Sequence, residues 1–190
     1  MAKSESKHIA LGLLELSGPA AGFAAADAIL KTSPTKLLKG DTICPGKFLL
    51  IFTGELAAVH EAYRRAEQVC AGCLIDGGVL GRISTAVLQA FRGPDPHMKK
   101  GGALGIIETF TAAGAINGAD AAVKAAPVEV IDLRLAQGLA GKGIAYLTGT
   151  VTAVETALKA AESAITSNGG ICTVQLLPNP HHSVWEALLS

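Results

Sequence analysis

The sequence predicts an α+β protein made of two tandem copies of one β-α-β-β-α-β unit, each closed by a short terminal helix. Three observations predict it. The segment Ala10-Leu-Gly-Leu-Leu-Glu15 returns as Ala103-Leu-Gly-Ile-Ile-Glu108, a shift of 93 residues from position 10 to position 103. Within each copy, short apolar runs alternate with alanine-rich stretches at helical spacing. Between the copies, Arg92-Gly-Pro-Asp-Pro-His-Met-Lys-Lys-Gly-Gly102 has the composition of a linker. The copies are therefore residues 9–91 and 103–189, joined by residues 92–102. A repeat of this period is too long for a solenoid. Each copy is expected to be a small domain with an antiparallel-rich sheet and helices on one face.

The first strand is the apolar run 10–15 and its counterpart 103–108. The first helix follows over 22–34, with Phe23, Ala26, Ile29 and Leu30 at helical spacing and a stop at Pro34. Its counterpart is 115–127, where Asp27/Asp120, Lys31/Lys124 and Pro34/Pro127 keep the shift. The second strands are 35–42 and 128–135. The third, 46–54 and 141–149, are offset by 95 residues (Lys47 to Lys142), so the turn before them is two residues longer in the second copy. Second helices cover 55–71 and 151–168, with Val59/Val154, Ala62/Ala157 and Glu67/Glu162 in step. Closing strands (74–80, 171–177) and final helices (84–91, 183–189) complete the units.

Composition narrows the function. Lys plus Arg and Asp plus Glu both number 16, so the formal net charge is zero. No basic field is available for a phosphate backbone, which argues against nucleic acid as a partner. Charged residues are 17% of the chain and the mean hydropathy is +0.40, against about a quarter charged in an ordinary soluble domain. No apolar run approaches the roughly 20 residues that cross a bilayer, so no membrane is expected and the surplus apolar surface is assigned to subunit contacts. Residues 1–7 are polar and do not read as a secretory signal. The four cysteines (Cys44, Cys70, Cys73, Cys172) do not form the framework of a small secreted scaffold. The expected location is the cytoplasm, with reduced thiols.

One of those thiols stands apart. Thr42-Ile43-Cys44-Pro45-Gly46-Lys47 lies between two apolar runs, and Cys-Pro-Gly continues neither a helix nor a central strand. Cys44 is thereby placed on a tight exposed turn, whereas most cysteines are buried small hydrophobes. Cys70-Ala-Gly-Cys73 has the spacing of a redox or metal pair, but it ends a helix and has no second pair to complete a zinc site; packing is the better reading. Cys172 falls in an apolar strand.

Other signals carry less. Gly40 to Lys47 brushes the phosphate-loop pattern but has five residues between its glycines, and Phe48 where a hydroxyl is needed. The histidines show no metal-ligand spacing beyond the adjacent His181 and His182, which begin a helix and suit capping or packing. Glu15 and Glu108 end equivalent strands and read as shared fold residues. No nucleophile–base–orienter set is present, so an enzyme is not expected.

The strand Ala10–Glu15, the helix ending Asp27-Ala-Ile-Leu-Lys31, the turn and strand leading to Gly54, and Leu177-Pro178-Asn179-Pro180-His181 together resemble the bacterial microcompartment (BMC) shell domain, in both copies. The turn 42–50 resembles the PduT-like subfamily of tandem-domain shell proteins. This resemblance implies a ferredoxin-like domain pair and a flat pseudohexameric homotrimer that tiles, with other shell proteins, into the shell of a bacterial microcompartment. It also implies a central pore lined by Ile43, Cys44, Pro45, Gly46 and Lys47 of the first copy and by Gln137, Gly138, Leu139, Ala140 and Gly141 of the second. Lys31 and Lys124 match the family's tile-edge lysine. Asn179 and His181 fall in the tile-packing motif, where Asn179 replaces the usual arginine and removes its five-donor fork. In the subfamily the pore cysteine, here Cys44, holds an iron–sulfur cluster.

That implication can be weighed against the chemistry. A [4Fe-4S] cluster normally takes four thiolates. A threefold axis through the turn would gather three Cys44 thiolates and leave the fourth iron to a solvent or small-molecule ligand. Gln137 stands at the equivalent place in copy two, so six domains supply three thiolates. The expectation is one cluster per trimer, carrying electrons across the shell with a redox enzyme as a partner. A cofactor-free pore for small metabolites is the alternative, and a Cys70/Cys73 dithiol enzyme is a third.

Overall fold

The computed structural model describes residues 10–91, 93, 101–165 and 170–189. Most of the expected linker, 92–102, and residues 166–169 at the end of the expected fourth long helix lie outside the described residues. Two compact units divide between Ile83 and Ser84.

The first unit runs β1 (Ala10–Leu16), α1 (Pro19–Thr32), β2 (Lys36–Ile43), β3 (Lys47–Gly54), α2 (Leu56–Val69) and β4 (Leu74–Leu80). Its sheet has the order β2-β3-β1-β4, antiparallel throughout. β1 is bonded on both sides and buried along its whole length, which is why it reads as a continuous apolar run. β2 is an edge strand with an alternating, largely open face, and its Lys36 and Lys39 discourage pairing with another sheet. α1 and α2 pack on each other and on the sheet, over a core of Leu14, Leu16, Phe48, Leu50, Phe52, Ile29 and Val59.

α1 starts three residues earlier than its periodicity predicts. Pro19 occupies the first turn, where its missing N–H costs nothing, and the helix stops before Pro34. Its core face is Gly22, Ala25, Ala26 and Ile29. This corrects the expected apolar stripe, because Phe23 and Leu30 are exposed, at 66% and 50%. Small residues let the helix lie close to the sheet. A Cβ at Gly22 would come within 2.2 Å of the Phe48 ring. In the second unit Ala115 replaces Gly22 and Gly143 replaces Phe48, and a Cβ at Gly143 would lie 2.6 Å from that of Ala115. The two copies thus fill one helix–strand contact by opposite choices of large and small residue.

The second unit runs α3 (Thr85–Ala90), β5 (Ala103–Thr109), α4 (Ala112–Ala125), β6 (Glu129–Leu135), β7 (Gly143–Gly149), α5 (Val151–Ile165), β8 (Ile171–Leu177) and α6 (His182–Leu189). Its sheet repeats the topology as β6-β7-β5-β8. Leu11 pairs with Leu80 and Leu104 with Leu177, so the closing strands are 97 residues apart (80 to 177). Trp185 and Leu188 of α6 pack with Leu104 and Ile131. α3, read from the sequence as the end of the first copy, packs against β6 and α4 of the second unit.

Candidate functional site

The turn between β2 and β3 is built by a short hairpin. Ile43 pairs with Lys47 across the two strands, and the Gly46 N–H donates to the Ile43 carbonyl at 2.9 Å. Gly46 has φ of +97°, a conformation that favours glycine, and the Cys44–Pro45 peptide is cis. Cys44, Pro45 and Gly46 are exposed, and Cys44 is a free thiol. Ile43, the residue before the exposed tip, is buried at 2% and anchors the turn in the core of its unit.

Lys47 does not project freely. Its Nζ lies 2.8 Å from Glu15 Oε1, and the Glu15 side chain is wholly buried. The second copy repeats the device, with Lys142 Nζ 2.6 Å from Glu108 Oε1 in a more open setting. Each pair ties the strand leaving the turn to the end of the first strand. With the strands that enter the two turns in register, β2 from Lys36 and β6 from Glu129, Cys44 and Gln137 occupy equivalent places, each the first exposed residue after a buried one, Ile43 or Ala136. The longer second turn exposes Gln137, Gly138 and Ala140, half-buries Leu139 and buries Gly141. Ala136, Gly138, Ala140 and Gly141 all take positive φ, which accommodates the two additional residues. The signal missed in the sequence was the coincidence itself, since Glu15/Glu108 and Lys47/Lys142 are opposite charges kept in both copies.

What can such a turn hold? Among the described residues, no group of three or more His, Cys, Asp or Glu side chains could bind a metal ion within one chain. An exposed thiol on a narrow, anchored turn fits a multinuclear iron site only when several chains each contribute one. The donor set is compatible with a cluster on a symmetry axis and incompatible with a site inside a single protomer.

The remaining expected residues fall elsewhere. Lys31 pairs with Asp27 at 2.7 Å and both are well exposed. Lys124 pairs with Asp120, whose side chain is buried and also accepts the Ser84 backbone N–H at 2.8 Å. Asn179 lines an open cleft with Pro180, His182 and Trp185. His181 caps α6, its Nδ1 accepting the Ser183 N–H at 3.3 Å, with its ring 4.2 Å from that of His182. Cys70 ends α2, is buried, and donates its Sγ–H to the Ala66 carbonyl at 2.7 Å. Burial pushes its thiol pKa above the ordinary value, and nearby Cys73 adds to that. A thiol so placed is inert. The side chain of Cys172 lies outside the described residues.

Comparison with known proteins agrees with this architecture. The BMC domain model matches residues 10–83 and again 103–180. The bacterial microcompartment shell protein PduT of Citrobacter freundii is 37% identical over 180 residues, covering 95% of this chain and 97% of the relative. A crystal structure of a microcompartment protein from Desulfitobacterium hafniense superposes with a TM-score of 0.82 at 32% identity, covering 94% of this chain and 99% of that one. The fused permuted hexameric shell protein of the RMM microcompartment gives 0.65 at 25% identity, over 84% and 82% of the two chains. With two copies of the domain in tandem, the chain belongs to the BMC-domain family of bacterial microcompartment shell proteins.

Proposed function

We propose that this shell protein forms a homotrimeric, pseudohexameric tile whose threefold axis passes beside the Cys44 turn, and that three Cys44 thiolates hold one [4Fe-4S] cluster there. The observation that carries the reading is the exposed free thiol at the tip of the first turn, with Gln137 at its repeat-equivalent place. A trimer then presents three thiolates, which is what a cluster with one iron left to an outside ligand requires. When bound, such a cluster supplies a one-electron couple at the pore. The protein's own part is positional: Ile43 anchors the turn in the core, Gly46 permits the bend, and Glu15 holds Lys47. The tile's partners are other shell proteins along its edges, through Lys31, Lys124, Asn179 and His181, and a redox enzyme that exchanges electrons with the cluster. No catalytic step is assigned to the chain itself.

The test is Cys44→Ser, purified anaerobically beside the wild type after identical reconstitution. The variant should remain trimeric and lose its iron and acid-labile sulfide. Stoichiometric iron retained by the variant would remove the cluster from this turn. Iron absent from both proteins would leave a pore that passes small metabolites.

A further inference from the structure

Two thiols of the first unit share one turn. α2 ends at Val69, and the chain reverses over Cys70-Ala-Gly-Cys73 into β4. The Cys73 N–H donates to the Cys70 carbonyl at 2.8 Å, and Gly72 takes φ of +81°. A turn closed in this way brings its first and fourth Cα atoms within about 7 Å, and a disulfide spans roughly 4.4–6.8 Å between Cα atoms. Both thiols are free. Cys70 is 3% exposed inside the core cluster, and the half-buried Cys73 packs against that cluster. The fold itself does not ask for sulfur here. In the second unit the Phe110 N–H donates to the Gly170 carbonyl, as the Ser17 N–H donates to that of Cys73. Gly170 therefore stands where Cys73 does, and the matching run of the sequence reads Ser167-Asn-Gly-Gly170.

We propose that Cys70 and Cys73 form a reversible thiol–disulfide pair whose reactant is a low-molecular-weight disulfide such as glutathione disulfide. Their exposures divide the work: Cys73 is the sulfur that solvent reaches, and Cys70 is the one behind it. The Cys73 thiolate attacks one sulfur of glutathione disulfide, a mixed disulfide forms at Cys73, and one glutathione leaves as its thiolate. Cys70 gives its proton to solvent, releases the Ala66 carbonyl and attacks the Cys73 Sγ, and the second glutathione leaves. The pair loses two electrons and two protons, and one glutathione disulfide becomes two glutathiones. Burial keeps Cys70 inert to reagents in solution, but a sulfur activated at Cys73 lies across the same turn. Excess reduced glutathione drives the same steps backwards.

The pair lies at the end of the first unit that carries the Cys44 turn. The Ser17 N–H holds the Cys73 carbonyl at 2.8 Å, and a Cβ on the next residue, Gly18, would lie 3.9 Å from the Gly46 carbonyl oxygen. Cys44, Cys70 and Cys73 thus share one end of one copy. The inference uses neither the trimer nor the cluster, and it stands if Cys44 binds no iron. The bond is a modification of this chain and not a catalytic cycle.

Peptide mapping tests this, because cleavage after Arg65 and Arg82 leaves both thiols on the peptide Ala66–Arg82 and Cys44 on another. The folded, cluster-free full-length chain is equilibrated in glutathione buffers from reduced to oxidised, quenched with acid, alkylated, digested with trypsin and read by mass spectrometry. In the oxidised buffer the Ala66–Arg82 peptide should become two hydrogens lighter and carry no glutathione, and in the reduced buffer it should regain both thiols. Cys44, alone on its turn, should carry glutathione in the same oxidised samples, which shows that the reagent reached the protein. Cys70→Ser should stop at the mixed disulfide, with glutathione held on Cys73; its hydroxyl can still donate to the Ala66 carbonyl. Cys73→Ser should react within this peptide roughly tenfold more slowly than Cys70→Ser, since its remaining thiol is buried. A wild-type peptide that keeps both thiols while Cys44 is glutathionylated, or that holds glutathione without closing, would overturn the pair. Equal rates for Cys73→Ser and Cys70→Ser would overturn the assignment of Cys73 as the attacking sulfur.

Discussion

Cys44 and Cys70 differ in kind although both are free thiols. Cys44 sits on an exposed turn, whereas Cys70 is buried, bonded to Ala66 and raised in pKa chiefly by desolvation. Iodoacetamide should therefore label Cys44 faster than Cys70 in cluster-free protein, on the order of tenfold or more, as read by peptide mass spectrometry. The raised pKa sets the pH dependence as well. Because the thiolate is the reacting form, Cys70 labelling should keep climbing with pH beyond the point where an ordinary cysteine levels off. Equal rates at neutral pH would contradict the placement of Cys70 as a packing residue. Gly22 makes a second residue-level prediction. Gly22→Ala would drive a methyl into Phe48, and such overpacking costs about 1–3 kcal/mol, measurable by urea denaturation. The gain in helix propensity, at most about 1 kcal/mol, does not offset it. Pairing Gly22→Ala with Phe48→Leu should recover part of the loss, because the second copy already uses the inverse arrangement.

Hairpins decide how the turns are held. The Lys47–Glu15 pair is largely buried and the Lys142–Glu108 pair is more open. Removing one partner of a buried pair leaves a desolvated charge and costs on the order of 3–5 kcal/mol, whereas a solvated pair is worth about 0–1 kcal/mol. Lys47→Met should thus destabilise the fold well beyond Lys142→Met in the same denaturation experiment. Equal losses would mean that the burial of Glu15 does not set the energetics of the first turn. Much at this scale was legible in the sequence: both apolar first strands, the changing repeat shift, and the turn at Cys-Pro-Gly. What was not legible follows from tertiary context. The periodicity of α1 admits two apolar faces, one of Phe23 and Leu30 and one of Ala25, Ala26 and Ile29. Only the approach of Phe48 to Gly22 selects the second as the core. Likewise, Glu15 and Lys47 lie far apart in the chain, and only the antiparallel pairing of β1 with β3 brings them together.

At the scale of the molecule, the exposed apolar side chains fit an assembly better than an isolated monomer. Phe23, Leu30, Leu38 and Phe110 are all at least 44% exposed, in a chain with few charges for its size. Surface of that kind marks contact sites when it is contiguous. The candidate metal site makes the same demand, since one chain supplies one thiol at the turn. The most direct measurement is iron and acid-labile sulfide per trimer in anaerobically purified protein, taken with its visible and electron paramagnetic resonance spectra. About four irons and four sulfides per trimer, with a signal that appears on reduction, is the predicted result. A stable trimer that stays free of iron through anaerobic reconstitution would contradict the cluster and leave Cys44 as a lining residue of a passive pore.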